Sequence, residues 1–416
     1  MSFSARLPKD LSPSAFAVRL QELKGKGPYV DLTVSSPTQV GLLPNLTPYF
    51  LGSLQAANAW DNSSAGALKV REAVCEYYAS RGGRFDSDQI LLTSSTSEAY
   101  SFLLKTFCDP GDVVLTATPG YPLLDTLASL EHLSCYPYFL KWSAHSRRFA
   151  IDLDSLLSAP EKAKVLFLVS PHNPTGYCVS EADWAEIIRF CEERSLVLVV
   201  DEVFGDFVFN DVVYNDVVNN DAVCNDAVCN DGVNNDAVCN SKKRRSFELN
   251  CGNVAVFWLN GLSKTVGAPH LKLSWMAFTA PKKELALIQE ALSFVADAYL
   301  SVSSWVQAMA PALLKDATLL QEPVRLRLQE NLKILTESCP SAPVVDGGWY
   351  AALYLGEVDD EQFVLQLLEE HRILVQPGFY FDFDGDGWVV FSLLSPPKEL
   401  AHFFTVLKKL KITSTF

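Results

Sequence analysis

Short apolar runs alternate with amphipathic stretches from about residue 65 to 280. Gln89–Thr93, Asp112–Thr116, Lys164–Val169, Leu196–Val200 and Val254–Leu259 read as strands. Ser97–Phe107 and Ala182–Arg194 read as helices between them. Continuous apolar strands of this kind are covered on both faces, so the pattern predicts an α/β three-layer sandwich with a mostly parallel central sheet. The pattern then changes. Lys283–Tyr299 reads as a long helix that bridges to a second unit. Gly347–Leu355, Ile373–Gly378 and Trp388–Leu393 read as strands, with helices at Glu361–Glu370 and Lys398–Leu410. That is a smaller α+β domain. The expected division from this pattern is a large domain over 46–284 and a small one over 285–416.

One stretch obeys neither period. Residues 210–239 are six tandem pentapeptides of the form Asn-Asp-x-Val-x, followed by the basic run Lys242–Arg245. A valine every fifth position fits neither strand nor helix, so 210–245 reads as a low-complexity surface insert. A single turn of solenoid is the sharper alternative. Composition narrows the function class. The chain has 416 residues and a net charge of -15, which argues against a nucleic-acid or anionic-membrane surface. No apolar run reaches the roughly 18 residues of a membrane helix, and no secretory leader is visible. Ten cysteines without a framework spacing suit reduced thiols in the cytoplasm.

Candidate chemistry sits just past the strand ends, where open α/β sheets bind ligands. Ser94-Ser95-Thr96-Ser97 links a strand to a helix, a ready anion site. It equally fits a plain serine N-cap with Glu98 in the first turn. Tyr121 follows Pro119-Gly120, and Asn173 opens Asn173-Pro174-Thr175-Gly176, where ordinary turn chemistry is the alternative. Asp201 ends an aliphatic strand, where a carboxylate needs a partner or a local backbone donor. Asn260-Gly261-Leu262-Ser263-Lys264 closes the set, and Lys264 alone could be a surface lysine. No metal site is expected. Asp382-Phe383-Asp384-Gly385-Asp386-Gly387 imitates a calcium loop, but its twelfth position is Leu393, so a polar hairpin turn fits better.

The order and spacing of these runs resemble the class I/II, fold-type I pyridoxal-phosphate aminotransferases of the aspartate and alanine type. From Asp201 to Lys264 is 63 positions, and without the 30 repeat residues the gap falls to 33, near the family's spacing. The resemblance implies pyridoxal 5′-phosphate as cofactor, with Lys264 as the aldimine lysine that also moves the Cα proton. It implies Asp201 on the pyridine nitrogen, Asn173 on the ring oxygen and Tyr121 on the ring face. Ser95, Thr96 and Lys272 fall at its phosphate positions, Ser263 at a cofactor-binding position, and Phe204 where a tyrosine hydroxyl assists Asn173; the resemblance also joins residues 1–45 to the small domain. Trp60 falls where the family places a tyrosine that reaches the neighbouring subunit, which implies a homodimer. Amino-acid and 2-oxo-acid substrates follow, with a place in amino-acid metabolism.

Four further departures stand out. Ser95 replaces a glycine, Lys272 replaces an arginine, and Phe204 replaces a tyrosine. The late-strand arginine that grips the substrate carboxylate is absent: the run is Val389-Val390-Phe391-Ser392, and no arginine follows Arg372. A C–S β-lyase of the same cofactor class is therefore kept as an alternative, as is a non-catalytic protein that binds through this fold.

Overall fold

The computed structural model describes residues 4–8, 10–58, 61–209, 250–300 and 302–411. The pentapeptide repeat, Lys242–Arg245 and Trp60 lie outside the described residues.

The strands are β1 (Val30–Asp31), β2 (Ile90–Thr93), β3 (Val113–Thr118), β4 (Ser134–Ser143), β5 (Arg148–Ile151), β6 (Ala163–Val169), β7 (Val197–Asp201), β8 (Val256–Gly261), β9 (Ser274–Thr279), β10 (Tyr350–Tyr354), β11 (Ile373–Leu374), β12 (Gln376–Pro377) and β13 (Trp388–Ser392). Eight of them form one sheet in the order β2-β9-β8-β7-β6-β3-β4-β5. The central run from β8 to β4 is parallel, and β9 runs against both of its neighbours. Alternation along each strand explains the apolar runs. Val165, Phe167, Val199 and Phe257 pack on one face with the helices Thr96–Phe107 and Leu285–Asp297. Leu166, Leu168, Leu198, Val200 and Trp258 pack on the other with the helix Glu181–Arg194. With both faces covered, the central strands read as near-continuous apolar runs.

The remaining strands form a three-stranded sheet, β10-β13-β12, and a parallel pair, β1-β11. Around them Phe16, Leu23 and Leu32 from the chain's start share a core with Val364, Phe391 and Phe403 from its end. The Asp382–Gly387 run lies between β12 and β13, which are antiparallel neighbours, as a hairpin turn requires.

One helical reading needs correction. The bridging helix predicted over 283–299 is instead Leu285–Asp297, and its Ile288, Leu292 and Ala296 pack into the large sheet's core. The bridging element is the 22-residue helix Ala317–Ser338. Its Ala317 packs with Trp275 of β9, while Leu328, Leu332 and Leu335 pack with the small sheet. The sequence conceals it because Pro323 lies inside, as Pro311 does in the preceding helix Ser304–Lys315. We propose that the second domain boundary falls near Ala317 rather than at 285, since both helices before it pack on the large sheet. No helix among the described residues is long and apolar enough to cross a membrane.

Candidate active site

Five strand ends converge on a cavity of about 750 Å³. It is lined by Ser95, Thr96, Tyr121, Asn173, Asp201, Phe204, Ser263, Lys264 and Lys272 together, that is, by every described residue to which the sequence assigned a site role.

Lys264 sits on the one-turn helix Leu262–Thr265 that follows β8. The approach is tight. A Cβ on Gly261 would stand 2.2 Å from the Ser274 hydroxyl, so only glycine lets β8 meet β9 here. Asn260 ties the turn together: its carbonyl oxygen accepts from the Gly261 amide at 2.7 Å and the Thr265 hydroxyl at 3.1 Å. Its amide donates to the Tyr77 hydroxyl, which donates to Asp206, and Arg81 also donates to Asp206. Gln321 of the bridging helix donates to the Thr265 carbonyl at 2.9 Å. The Lys264 amine stands 4.7 Å from the centre of the Trp349 ring and 5.5 Å from that of Phe204. Burial pushes its pKa down to about 8, against the opposing pull of Asp201.

Asp201 closes β7 and is buried. Burial raises its carboxyl above the usual range, and hydrogen bonds from Tyr100 and the Val203 amide, with the charge of Lys264, restrain that rise. The Tyr100 hydroxyl donates at 2.6 Å and the Val203 amide at 3.0 Å, each to a different carboxylate oxygen. Tyr100 was not assigned a role from the sequence. Its signal there is a hydroxyl on the apolar face of the helix Thr96–Phe107, among Ala99 and Leu103.

At that helix's start, Ser95 caps as the plain reading predicted: its hydroxyl accepts from the Glu98 amide at 3.1 Å. Glu98 in turn accepts from the Ser94 amide at 2.7 Å. The Thr96 and Ser97 amides, which have no partner within the helix, head the anion-favouring end. Ser263 and the exposed Lys272 complete that side of the cavity.

Asn173 follows β6, and its side-chain oxygen is buried without a partner. A half-turn of the amide exchanges its oxygen and nitrogen, so the group presents an unmatched polar atom beside the cavity. The neighbouring His172 is buried, its Nδ1 2.9 Å from the Thr175 hydroxyl, and burial pushes its pKa down to about 3. It stays neutral at physiological pH. Tyr121 lines the mouth and is exposed, whereas Phe204 is buried against Trp349. Ser35 and Tyr350, also unassigned from the sequence, reach the cavity from the small sheet's side.

The chain matches the family described as "Aminotransferase class I and II" over residues 62–407. It is 26% identical to the alanine aminotransferase of Mycobacterium tuberculosis over 354 residues, 82% of this chain and 75% of that protein. It is 30% identical to a tyrosine aminotransferase of Caenorhabditis elegans, but over 34% of this chain and only 31% of that protein. Among solved structures, an alanine aminotransferase from Pyrococcus furiosus superimposes with a TM-score of 0.79 at 20% identity, covering 94% of this chain and 95% of that one. A Thermus thermophilus aspartate aminotransferase variant gives 0.78 at 17% identity, covering 98% and 99%. The match over most of its length makes this chain a member of the class I and II aminotransferase family.

Proposed function

We propose that this protein is a pyridoxal-phosphate-dependent aminotransferase that moves an amino group between an amino acid and a 2-oxo acid. The observation that carries the reading is one cavity holding both a lysine of lowered proton affinity and a buried carboxylate braced by two donors. The residues fit the cofactor. Asn173 offers an unmatched polar atom for a ring oxygen. Asp201 offers a buried negative charge for a ring nitrogen, and the helix start at Thr96 offers amides for a phosphate.

When bound, the cofactor supplies an aldehyde carbon that takes up the amino group and a ring that draws electrons from the reacting carbon. Lys264 supports this as the amine that would bond to that carbon, since burial enriches its neutral, nucleophilic form. The same amine would carry the proton at the donor's Cα, acting as base and then as acid. Asp201 would keep the ring nitrogen protonated, and Tyr100 fixes the orientation of Asp201. Ser95, Thr96, Ser263 and Lys272 would hold the phosphate, with Lys272 giving charge without the planar fork of an arginine. Tyr121 and Phe204 would contact the ring.

We further read the protein as a cytoplasmic homodimer. No disulfide joins the described cysteines, which suits a reducing compartment. Phe50, Leu51, Leu54 and Trp305 form an exposed apolar patch, with Phe50 and Trp305 stacked at 5.6 Å, and a second copy would cover it. Light scattering should give twice the chain mass, and a monomer at micromolar concentration would contradict the pairing. The activity is tested by incubating the holoenzyme with L-amino acids and 2-oxoglutarate or pyruvate. Formation of the donor's oxo acid is expected. Release of ammonia and pyruvate from cystathionine without any acceptor would favour a lyase instead.

A further inference from the structure

We propose that Ser35 and Tyr350 form a hydroxyl pair that binds the carboxylate of the amino donor; the proposal rests on the aminotransferase reading above. An amino acid brings an anionic group into the cavity, and that group needs donors. Among the described lining residues the cations are Lys264 and Lys272. Lys264 is the reacting amine, and Lys272 belongs to the phosphate side. No arginine lines the cavity among the described residues. Arg372, the last arginine of the chain, is committed elsewhere: its guanidinium donates to the carbonyls of Leu23, Gly27, Pro28 and Leu368.

The small sheet's side contributes three lining residues, Ser35, Tyr350 and Asp382. Asp382 is exposed and carries the wrong charge for an anion. The other two are hydroxyls, and they are bonded to each other. Whichever donates in that bond, the other keeps its proton for a ligand, and an arriving carboxylate can accept from both once the bond between them opens.

Register places the pair well. On β10 and β13, Tyr350 opposes Ser392 and Ala352 opposes Val390. Directly opposed residues share a face, and so do residues two apart, so Tyr350 lies diagonally beside Val390. Val390 is fully buried and brings no polar group. Tyr350 is the residue of this face that carries a hydroxyl to the cavity wall. The Tyr350 ring stands edge-on to Phe204 with centroids 6.3 Å apart, and Phe204 stands against the Lys264 amine. Phe204 is thus a shared neighbour of the Tyr350 ring and the reacting nitrogen on the wall of one cavity. Ser35 reaches the wall because β1 pairs with β11 and anchors the chain just before it.

The test compares wild-type holoenzyme with Tyr350→Phe, Ser35→Ala and Ser35→Thr. Paired donors are used, L-alanine against ethylamine and L-phenylalanine against phenethylamine, so that each pair differs by the carboxylate. Tyr350→Phe and Ser35→Ala should each raise the KM of the amino acids about tenfold to a hundredfold, the value of one hydrogen bond to a charged group. The KM of the amines should not move, kcat should change little, and Ser35→Thr should behave as wild type. Calorimetry with 2-methylalanine, which has a carboxylate but no Cα proton, should show the same loss in Kd without turnover. Equal weakening of amine and amino acid, or unchanged constants in both variants, would overturn the proposal while leaving the aminotransferase reading intact. Wild-type enzyme that transfers an amino group from no donor would sink that reading, and this one with it.

Discussion

Lys264 is where burial and charge oppose each other, and the balance has a measurable consequence. With its pKa pushed down to about 8, the neutral amine is a minority at pH 7 and the majority at pH 9. Below the folded pKa the neutral fraction falls about tenfold per pH unit. Capture of pyridoxal phosphate by the apoprotein, followed by stopped-flow absorbance, should therefore quicken with pH and level off above about 8. A profile still climbing at pH 10 would mean an unshifted lysine. The linkage sign follows: between about 8 and the unfolded value the native chain binds fewer protons than the unfolded one. Stability thus gains from this group as pH rises through that window, and its cost is fully present below it. Tyr100→Phe removes one donor from Asp201. A hydrogen bond to a charged group contributes about 1.5–3 kcal/mol. Cofactor affinity should fall about tenfold to a hundredfold in an absorbance titration, with the fold retained because the ring still fills its place. Lys264, Asp201 and Asn173 were legible because each is a polar residue closing an apolar strand or opening the turn beyond it. Tyr100 and Tyr350 were not, because their rings occupy apolar faces and only the hydroxyl reaches the site. Ser35 lies far from the other site residues in sequence and is recruited only by the β1-β11 pairing.

The turn after β6 shows how an element positions chemistry. Gly176 has φ of +72°, and a Cβ there would meet the Val345 side chain at 2.4 Å. Its carbonyl accepts from the Asp346 and Gly347 amides at 3.0 Å each, docking the turn that carries Asn173 onto the small unit. Gly176→Ala should destabilise by roughly 1–3 kcal/mol through overpacking and backbone strain. Urea unfolding should show a lower midpoint with an unchanged slope. An unchanged midpoint would mean that the turn yields freely. Strands buried on both faces were read correctly because they leave no polar position to confuse the period. β9, Ser274–Thr279, was missed because it follows the lysine turn closely. The helices over 304–338 were missed because of their interior prolines, which packing against Trp275 and the small sheet outweighs.

At the scale of the molecule, the chain's beginning and end are fastened together. Arg19 and Lys26 both pair with Glu369, and Arg372 holds three carbonyls of the segment from Leu23 to Pro28. The ion pairs are exposed, and each contributes little. The shared core of Phe16, Leu23 and Leu32 with Phe391 and Phe403 does more. This union was not legible in strand patterns and entered the sequence reading through family resemblance. The pentapeptide repeat falls between two anchored ends. The Phe209 amide donates to the Asp346 carbonyl at 2.8 Å, and Trp184 donates to the Asn250 carbonyl at 2.8 Å. Deletion of 210–239 should leave cofactor affinity and the unfolding midpoint within error of wild type, and loss of folding would refute its dispensability. The most direct test of the central claim is the absorbance spectrum of purified protein with pyridoxal phosphate, titrated with L-amino acids, with Lys264→Ala alongside. A visible band that an amino acid abolishes and a 2-oxo acid restores, and that Lys264→Ala cannot cycle, is the expected result. A band that no amino acid converts, or one that cycles equally without Lys264, would contradict the assignment.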